Sequence, residues 1–287
     1  MPFKKVLVPV DGSLYSQIAL DYGIWLSKTC HAELTATHVI DPRLIDLFLA
    51  PQFGEQLGFK ASVQASEKVL AAFQTIGRTI LDLARAEGGN QVEIQTCLDV
   101  GTVAEAIASR SDAYDLVVVG HRGKDAAKTA GSALVGSVAE RVAILSKRSV
   151  LVAAIPAADV EEFAVAFDGS EPARGALLLA EQLSKQTQKR LTVITVARSS
   201  EPEDIAEADA VSEQGKALLR EKSVQPAFLV LHGTPASSII GYTNGMRAIL
   251  VLGAYGFRTP EENVLGSTTT GVLRRSSTSV LIYRSAS

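Results

Sequence analysis

The sequence predicts an α/β fold of two repeated doubly wound domains, each with a five-stranded parallel sheet flanked by helices. Short apolar runs of strand length alternate with longer helix-like segments along the whole chain. This alternation is typical of parallel sheets that are covered on both faces. A set of motifs also occurs twice in the same order, and 287 residues suffice for two domains of about 140 residues each.

Four pairs of motifs indicate that the second half of the chain duplicates the first. The pairs are residues 8–13 with 165–170, 101–104 with 233–236, 116–120 with 249–253, and 136–137 with 266–267. The first copy is longer between its second and third strands, around residues 41–88. The copies meet at a short segment that contains Pro156, as expected for a linker. We therefore predict domains at residues 1–156 and 160–287.

Apolar periodicity and breaker residues predict the elements of each half. The first half has predicted strands at 4–10, 33–39, 92–97, 115–119 and 150–154. Its predicted helices are at 13–29, capped by Ser13, at 61–86, at 102–109, capped by Thr102, and at 137–145. Residues 42–59 are predicted to be irregular or weakly helical. The second half has predicted strands near 163–167, 191–196, 227–231, 248–252 and 280–283. In such folds, ligands bind at the carboxyl ends of the strands.

An aspartate follows the first predicted strand of each copy, Asp11 in one and Asp168 in the other. A carboxylate at that position can accept hydrogen bonds from a ribose. The alternative is an Asp-Gly turn, in which the carboxylate binds its own backbone. Because the pattern recurs at the same strand end, the two interpretations stand about equal.

Glycine-rich loops follow the fourth predicted strand of each copy and lead into a helix that begins Gly-Ser. The glycines are Gly120, Gly123 and Gly136 in the first copy, and Gly253, Gly256 and Gly266 in the second. Glycines allow backbone N–H groups to approach an anion, and a helix N-terminus binds phosphate. An ordinary glycine turn followed by a serine cap would explain each piece separately. The convergence of all pieces on one strand edge favours a phosphate site.

The spacing Gly253-x2-Gly256-x9-Gly266-Ser267 resembles the nucleotide signature of the universal stress protein family. Val-Pro-Val-Asp-Gly-Ser at the start and Gly-Thr-x-Ala within each domain are similar to the same family. The resemblance covers essentially the whole chain as two family domains of the adenine nucleotide α-hydrolase-like, or Rossmann-like, type. It implies a stress-response protein that binds ATP, alone or with magnesium, in one or both domains. It also implies that the two domains pair through their last strands within the chain.

The resemblance implies a set of nucleotide contacts in each copy. In the first copy they are Pro9, Asp11, Val39, Gly120, Gly123, Gly136, Ser137 and Val138. Arg122 joins this set because it is a positive charge within the loop. In the second copy they are Ala166, Asp168, Val196, Gly253, Gly256, Gly266, Ser267 and Thr268.

The two copies depart from the family pattern in different ways. In the first, twelve residues rather than nine separate Gly123 from Gly136. The charges around that loop, His121, Arg122, Lys124 and Lys128, suit an anion. The second copy has the expected spacing, but Phe167 replaces a small aliphatic residue beside the expected adenine pocket. Its loop also carries Glu261 and Glu262, which would repel phosphates if they point inward. Spacing favours the second site and charge favours the first.

Several classes of function are not expected. The net charge of −3 provides no positive field for nucleic acid. No apolar run reaches the roughly 20 residues of a membrane span, and the first residues lack a signal peptide, so we expect a cytoplasmic protein. Cys30 and Cys97 form neither a disulfide framework nor a metal pair, and the histidines lack ligand spacing. A Walker loop and a nucleophile elbow are both missing.

The leading hypothesis is a regulatory nucleotide-binding protein that passes its ligand state on through the surface between its domains. The first alternative is a non-nucleotide scaffold that holds a small or lipid-like molecule in degenerate sites. The second is a slow nucleotide hydrolase, although no catalytic residue set is visible. We expect the partner of each domain to be the other domain, and a homodimer of the whole chain is left open.

Overall fold

The computed structural model describes residues 2–49, 63–123, 135–255 and 265–285. The strands of the first half are β1 (Lys5–Pro9), β2 (Glu33–Ile40), β3 (Ile94–Val100), β4 (Leu116–Gly120) and β5 (Ser149–Ala153). The helices of that half are α1 (Leu14–Cys30), α2 (Pro42–Leu49), α3 (Val63–Gly88), α4 (Val103–Ser111) and α5 (Ser137–Leu145).

A short 3-10 turn, Ala157–Asp159, leads into the second half. The strands there are β6 (Glu162–Ala166), β7 (Arg190–Ala197), β8 (Ala227–His232), β9 (Ala248–Gly253) and β10 (Ser279–Tyr283). The helices there are α6 (Glu171–Thr187), α7 (Pro202–Leu219), α8 (Pro235–Thr243) and α9 (Ser267–Arg275).

All ten strands join in one sheet, in the order β3-β2-β1-β4-β5-β10-β9-β6-β7-β8. Neighbours within each half are parallel, which confirms the predicted fold class. The second half repeats this arrangement. The last strands of the two halves pair antiparallel, with Leu281 opposite Leu151, as the resemblance implies. In each half the order of the strands reverses between the first and the fourth strand, so the topological switch point lies there.

Helices cover both faces of the sheet and bury two apolar layers. Side chains from α1, α3, α6 and α7 form the core on one face, and side chains from α4, α5, α8 and α9 form the core on the other. Successive residues of β4 alternate between these layers, with Val118 in the first and Val117 in the second. Because both faces are buried, the central strands read as continuous apolar runs rather than as alternating ones.

Arg284, just after β10, ties the second domain to the first. Its side chain is 7% exposed, and Nη2 donates to the carbonyl of Ala143 near the end of α5 at 2.7 Å. Its Nε donates to Oη of Tyr255 at 3.0 Å, and its guanidinium lies 5.3 Å from the centre of that ring. The cation thus stabilises the carboxyl end of a helix in the other domain.

Three elements differ from the sequence predictions. Residues 42–49, predicted to be irregular or weakly helical, form the regular helix α2, while residues 50–62 lie outside the described chain. The third strand was predicted at 92–97 but runs from Ile94 to Val100, because β2 continues to pair with it up to Val100. Thr102 occupies the N-cap position of α4, but its side chain makes no capping hydrogen bond, contrary to the prediction.

No helix in the described parts of the chain is both long enough and apolar enough to cross a membrane.

Candidate functional site

The Asp-Gly-Ser motif forms the same tight turn at the end of β1 and of β6. Oδ1 of Asp168 accepts hydrogen bonds from the backbone N of Ser170 at 3.0 Å and from its Oγ at 2.6 Å. Oδ1 of Asp11 accepts from the backbone N of Ser13 at 2.9 Å. The intervening glycines both have φ of +79°, which glycine adopts without strain. The Asp-Gly turn is therefore formed in both copies. Its hydrogen bonds use only Oδ1 of each aspartate, not Oδ2.

Serine caps then start the helices that follow these turns. Oγ of Ser13 accepts from the backbone N of Ser16 at 3.2 Å, and Oγ of Ser170 accepts from the backbone N of Ala173 at 3.4 Å. Side-chain caps of this kind satisfy backbone donors that have no partner within the helix. The predicted cap at Ser13 is thus present, and its counterpart in the second copy has the same geometry.

The glycines that end β4 and β9 are required by packing. A Cβ atom at Gly120 would lie 2.6 Å from the carbonyl carbon of Tyr15, in the first turn of α1. A Cβ atom at Gly253 would lie 2.7 Å from Cβ of Pro172 and 2.9 Å from the backbone N of Ala173, in the first turn of α6. Because these contacts involve backbone atoms, glycine at these two positions has a structural reason that is independent of any ligand.

The amino end of α9 offers backbone donors at the same edge of the sheet. Its N-cap is Gly266, which has no side chain to satisfy the first N–H groups of the helix. The first turn carries three hydroxyls, from Ser267, Thr268 and Thr269, and Oγ1 of Thr269 donates to the carbonyl of Gly253 at 2.8 Å. Such a helix end can hold an anion.

A cavity of about 620 Å³ opens at the carboxyl ends of β6, β7 and β9. Seven of the eight residues predicted for the second copy line it, namely Ala166, Asp168, Val196, Gly253, Gly266, Ser267 and Thr268. The eighth, Gly256, lies outside the described residues, as do Glu261 and Glu262. The volume is typical of small-molecule sites, and the position is the topological switch point.

The residues predicted for the first copy lie at the corresponding edge of its half of the sheet. Pro9 ends β1, Val39 lies near the end of β2, and Gly120 ends β4. A Cβ atom at Gly123 would lie 3.3 Å from Oδ2 of Asp11, so the loop comes close to that carboxylate.

The Gly-Ser start of the helix closes this edge of the first copy. A Cβ atom at Gly136 would lie 3.2 Å from Cα of Arg122. Ser137 and Val138 begin α5, and Val138 is 42% exposed. Lys124 and Lys128, which were predicted to suit an anion, fall outside the described residues.

Phe167 borders the cavity, beside the position where the sequence places an adenine pocket. Its side chain is buried in the core beneath α6 and α7, and its ring is 3.3 Å from the position of a Cβ atom at Gly215 of α7. It borders the cavity from that side. The helix glycine makes room for the larger ring, so the substitution is accommodated by α7.

Sequence reasoning missed the wall that α7 contributes. Five of its residues line the cavity, namely Asp204, Glu207, Ala208, Val211 and Gln214. Arg174, Arg198 and Tyr255 also line it. No motif marks α7, and only the amphipathic spacing of Asp204, Ala208 and Val211 could have suggested that one face of this helix points toward the strand ends.

Thr195 in β7 is a second cavity residue that the sequence did not identify. Its side chain is 4% exposed, and its buried Oγ1 has no hydrogen-bond partner among the described residues. In the repeat alignment Thr195 corresponds to His38, whose Nδ1 is 2.7 Å from the carbonyl of Val10. The substitution removes that contact and leaves a hydroxyl at the cavity.

His121, in the loop after β4, is buried rather than presented to an anion. Burial, together with the positive charge of Arg122, lowers the pKa of its imidazole from 6.5 to about 4. Its Nε2 has no hydrogen-bond partner in the described structure. At neutral pH this ring therefore contributes no positive charge to the loop.

Across the described ranges, no group of three or more His, Cys, Asp or Glu residues could hold a metal ion.

The fold and cavity together define a tandem doubly wound α/β protein with a ligand-sized cavity at the strand carboxyl ends of its second domain. A sequence model described as the universal stress protein family matches residues 2–154 and 161–284. The chain therefore belongs to the universal stress protein family, and its interpretation as two such domains in tandem is confirmed.

Several similar proteins match this chain over nearly its whole length. A universal stress protein of Synechocystis sp. is 22% identical over 292 residues, covering 98% of this chain and all of the relative. The crystal structure of a universal stress protein from Archaeoglobus fulgidus is 23% identical, with 98% of each chain covered and a TM-score of 0.67. A functionally unknown Pseudomonas aeruginosa protein is 13% identical, with 98% and 92% covered and a TM-score of 0.69. These two structures share the fold.

Proposed function

We propose that this protein is a regulatory nucleotide-binding protein whose second domain holds an adenine nucleotide. One observation carries the proposal. The residues that the sequence motif assigns to nucleotide binding in the second copy, as far as they are described, all line a single cavity. ATP is the nucleotide that the family resemblance implies, alone or with magnesium, and a cytoplasmic role in the stress response accompanies it.

The cavity has the chemistry that a nucleotide requires. Apolar side chains of Ile194, Val196 and Leu252 offer a surface for a planar base. Oδ2 of Asp168, which has no hydrogen bond in the described structure, can accept a hydrogen bond from a sugar hydroxyl. The amino end of α9 would hold a phosphate through its N–H groups and hydroxyls.

A contact at the cavity wall offers a route by which the first domain could respond. Tyr255 lines the cavity and bonds Arg284, which in turn bonds the carbonyl of Ala143 in the first domain. A ligand that displaces Tyr255 would therefore strain a contact between the domains. This is how we propose that the protein passes on its ligand state.

Matched tryptophan substitutions test the proposal in the full chain. Thr268 and Val138 occupy the same position in the first turns of α9 and α5. Thr268→Trp should fill the mouth of the cavity and remove the rise in melting temperature that millimolar nucleotide causes. A ligand present at 100 times its Kd stabilises the folded state by about 2.7 kcal/mol, so the shift is measurable by differential scanning fluorimetry.

Val138→Trp is the control, because it adds the same bulk at the first copy and should leave the nucleotide-dependent shift intact. The proposal fails if no adenine nucleotide or nucleoside raises the melting temperature of the wild-type protein. It also fails if native mass spectrometry of the gently purified protein shows a retained species that is not a nucleotide. That second result would favour the scaffold alternative.

A further inference from the structure

We propose that the cavity of the second domain selects a nucleoside or nucleoside monophosphate and discriminates against the triphosphate. This inference rests on the proposed function and names the class of ligand within the same cavity. It follows from the charges that line the cavity, from one unpartnered hydroxyl, and from the phosphate donors that the described residues offer.

Among the described residues that line the cavity, carboxylates outnumber guanidinium groups. The carboxylates are those of Asp168, Asp204 and Glu207, and the cations are Arg174 and Arg198. No salt bridge of the described part of the chain involves any of these five groups, and Oδ2 of Asp204 accepts a hydrogen bond from Oγ of Ser199. A terminal phosphate carries about −1.5 to −2 charges, and each further phosphate adds negative charge that these carboxylates repel.

One of the two arginines is already engaged in holding the turn. Nε of Arg174 donates to the carbonyl of Gly169, and its Nη2 donates to Oε1 of Gln214, each at 3.0 Å. These bonds fasten α6 and α7 across the turn that contains Asp168. Among the described residues, Arg198 then makes fewer contacts than Arg174, and a single guanidinium can form one bidentate pair with a phosphate.

The first turn of α9 is the described part of the phosphate end of the cavity, and it offers hydroxyls and backbone N–H groups. A helix amino end is equivalent to about half a positive charge. Within the described part of the chain, this set of donors suits one phosphate better than three.

The unpartnered hydroxyl of Thr195 points to a polar ligand in the half of the cavity beneath α7. A buried hydroxyl without a partner is unfavourable, and a hydrogen bond with a ligand would offset that cost. The adjacent walls are apolar, with Val211 and Ala208 on α7 and Phe167 at the end of β6. A flat apolar ring with a polar edge, which is the shape of a nucleobase, fits these surroundings.

Calorimetric titration of the full chain with adenosine, AMP, ATP and Mg-ATP tests the inference. We expect adenosine and AMP to bind at least tenfold more tightly than ATP, with or without magnesium. Thr268→Trp should remove this binding, which assigns the signal to the second domain, whereas Leu83→Trp, at an exposed position of α3 outside both predicted sites, should not. ATP or Mg-ATP binding as tightly as AMP in that cavity overturns the inference but leaves the proposed function intact. Binding of none of the four overturns both.

Two neutralising substitutions on one helix separate local from general charge effects. Glu207→Gln removes a carboxylate from the cavity. It should lower the ratio of the Kd of ATP to the Kd of AMP by about threefold. Asp209→Gln, at an exposed residue of α7 that does not line the cavity, makes the same change in net charge and should leave the ratio unchanged. Equal effects of the two substitutions would contradict the proposed role of the cavity carboxylates.

Thr195→Val examines the role of the hydroxyl with little change in shape. It should weaken adenosine and AMP binding by about three- to tenfold while leaving the resistance of the free protein to urea equal or higher. A loss of both binding and stability would mean that Thr195 has a purely structural role, which would contradict this part of the inference.

Discussion

His121 occupies a loop that the sequence marks as basic, yet the structure buries its ring. The repeat places Ala254 at the same position in the second copy, where no titratable group exists. Its environment lowers the pKa of His121 to about 4, chiefly because burial disfavours the charged imidazole. The folded state therefore keeps this histidine neutral over a pH range in which an unfolded chain would protonate it.

This difference in pKa makes the stability of the protein fall on acidification. In the unfolded chain the histidine has a pKa near 6.5, so between about pH 6.5 and pH 4 the unfolded state binds more protons. We expect this one group to lower the free energy of unfolding by at most about 3 kcal/mol across that window. Urea titrations at a series of pH values measure the loss.

Replacing His121 with alanine, the residue at the same position in the second copy, isolates the effect of the histidine on the pH dependence of stability. His121→Ala should be less stable than the wild-type protein at pH 7, but the gap should shrink as the pH approaches 4. His232→Ala, at an exposed position, provides the control and should follow the wild-type pH profile. A constant gap between His121→Ala and the wild-type protein at all pH values would contradict the assigned cause.

The approach of α6 to the end of β9 leaves no room for a side chain at Gly253. We expect Gly253→Ala to destabilise the protein by about 1–3 kcal/mol, because the new methyl group would meet backbone atoms of Pro172 and Ala173. Equilibrium denaturation in urea measures this change. Loss of ligand binding in such a variant would thus report on the packing of the helix, so glycine substitutions here are poor probes of phosphate contacts.

At Gly241 in α8, in contrast to Gly253, an added side chain should stabilise the protein, and urea denaturation again measures the change. A Cβ atom there would meet no atom within 4 Å, and the residue lies within a helix. Gly241→Ala should therefore stabilise the protein by about 0.5–1 kcal/mol. If the two alanine substitutions had equal effects, the close approach of α6 to β9 could not be the reason for Gly253.

The elements differ in how much of them can be predicted from sequence. Strand and helix alternation, together with the repeated motifs, suffices for the sheet, because parallel strands with short connections allow few topologies. The end of β3 is not visible in the pattern, since pairing with β2 carries the strand through the polar residue Asp99. The cavity wall formed by α7 depends on which face of that helix packs inward, and no local motif encodes this choice.

The side chains at the site also differ in how much of their environment can be predicted from the sequence. The turn at Asp168 follows from an Asp-Gly-Ser pattern whose hydrogen bonds are local, so both of its interpretations could be stated in advance. The missing partner of the Thr195 hydroxyl could not be stated in advance. Strand alternation predicts which face of the sheet the side chain lies on, but not whether a hydrogen-bond partner lies within reach. The burial of His121 likewise depends on contacts that only the folded chain brings together.

The contact between the domains depends on the buried cation of Arg284. We expect Arg284→Ala to lower the free energy of unfolding by about 3 kcal/mol, because it removes charged hydrogen bonds to Ala143 and Tyr255. Scanning calorimetry should also show a broader transition, since the two halves would unfold less cooperatively.

Arg275→Ala is the matched control at the whole-molecule level. Arg275 is exposed, and its Nε donates to the carbonyl of Gly271 in its own helix. This substitution should change stability by less than about 0.5 kcal/mol. An equal loss in the two variants would contradict a special role for Arg284 between the domains.

The pairing of β5 with β10 joins two parts of one polypeptide, and this has a consequence for assembly. Two separate chains would lose such an interface on dilution, whereas a tether keeps its partners at a high effective concentration at any protein level. The tether also fixes the composition of this pair, because β5 of the first half pairs with β10 of the second half of the same chain. Each half is therefore free to acquire substitutions that its partner does not share. An acidic cavity on one side and a basic loop on the other can persist within the same molecule.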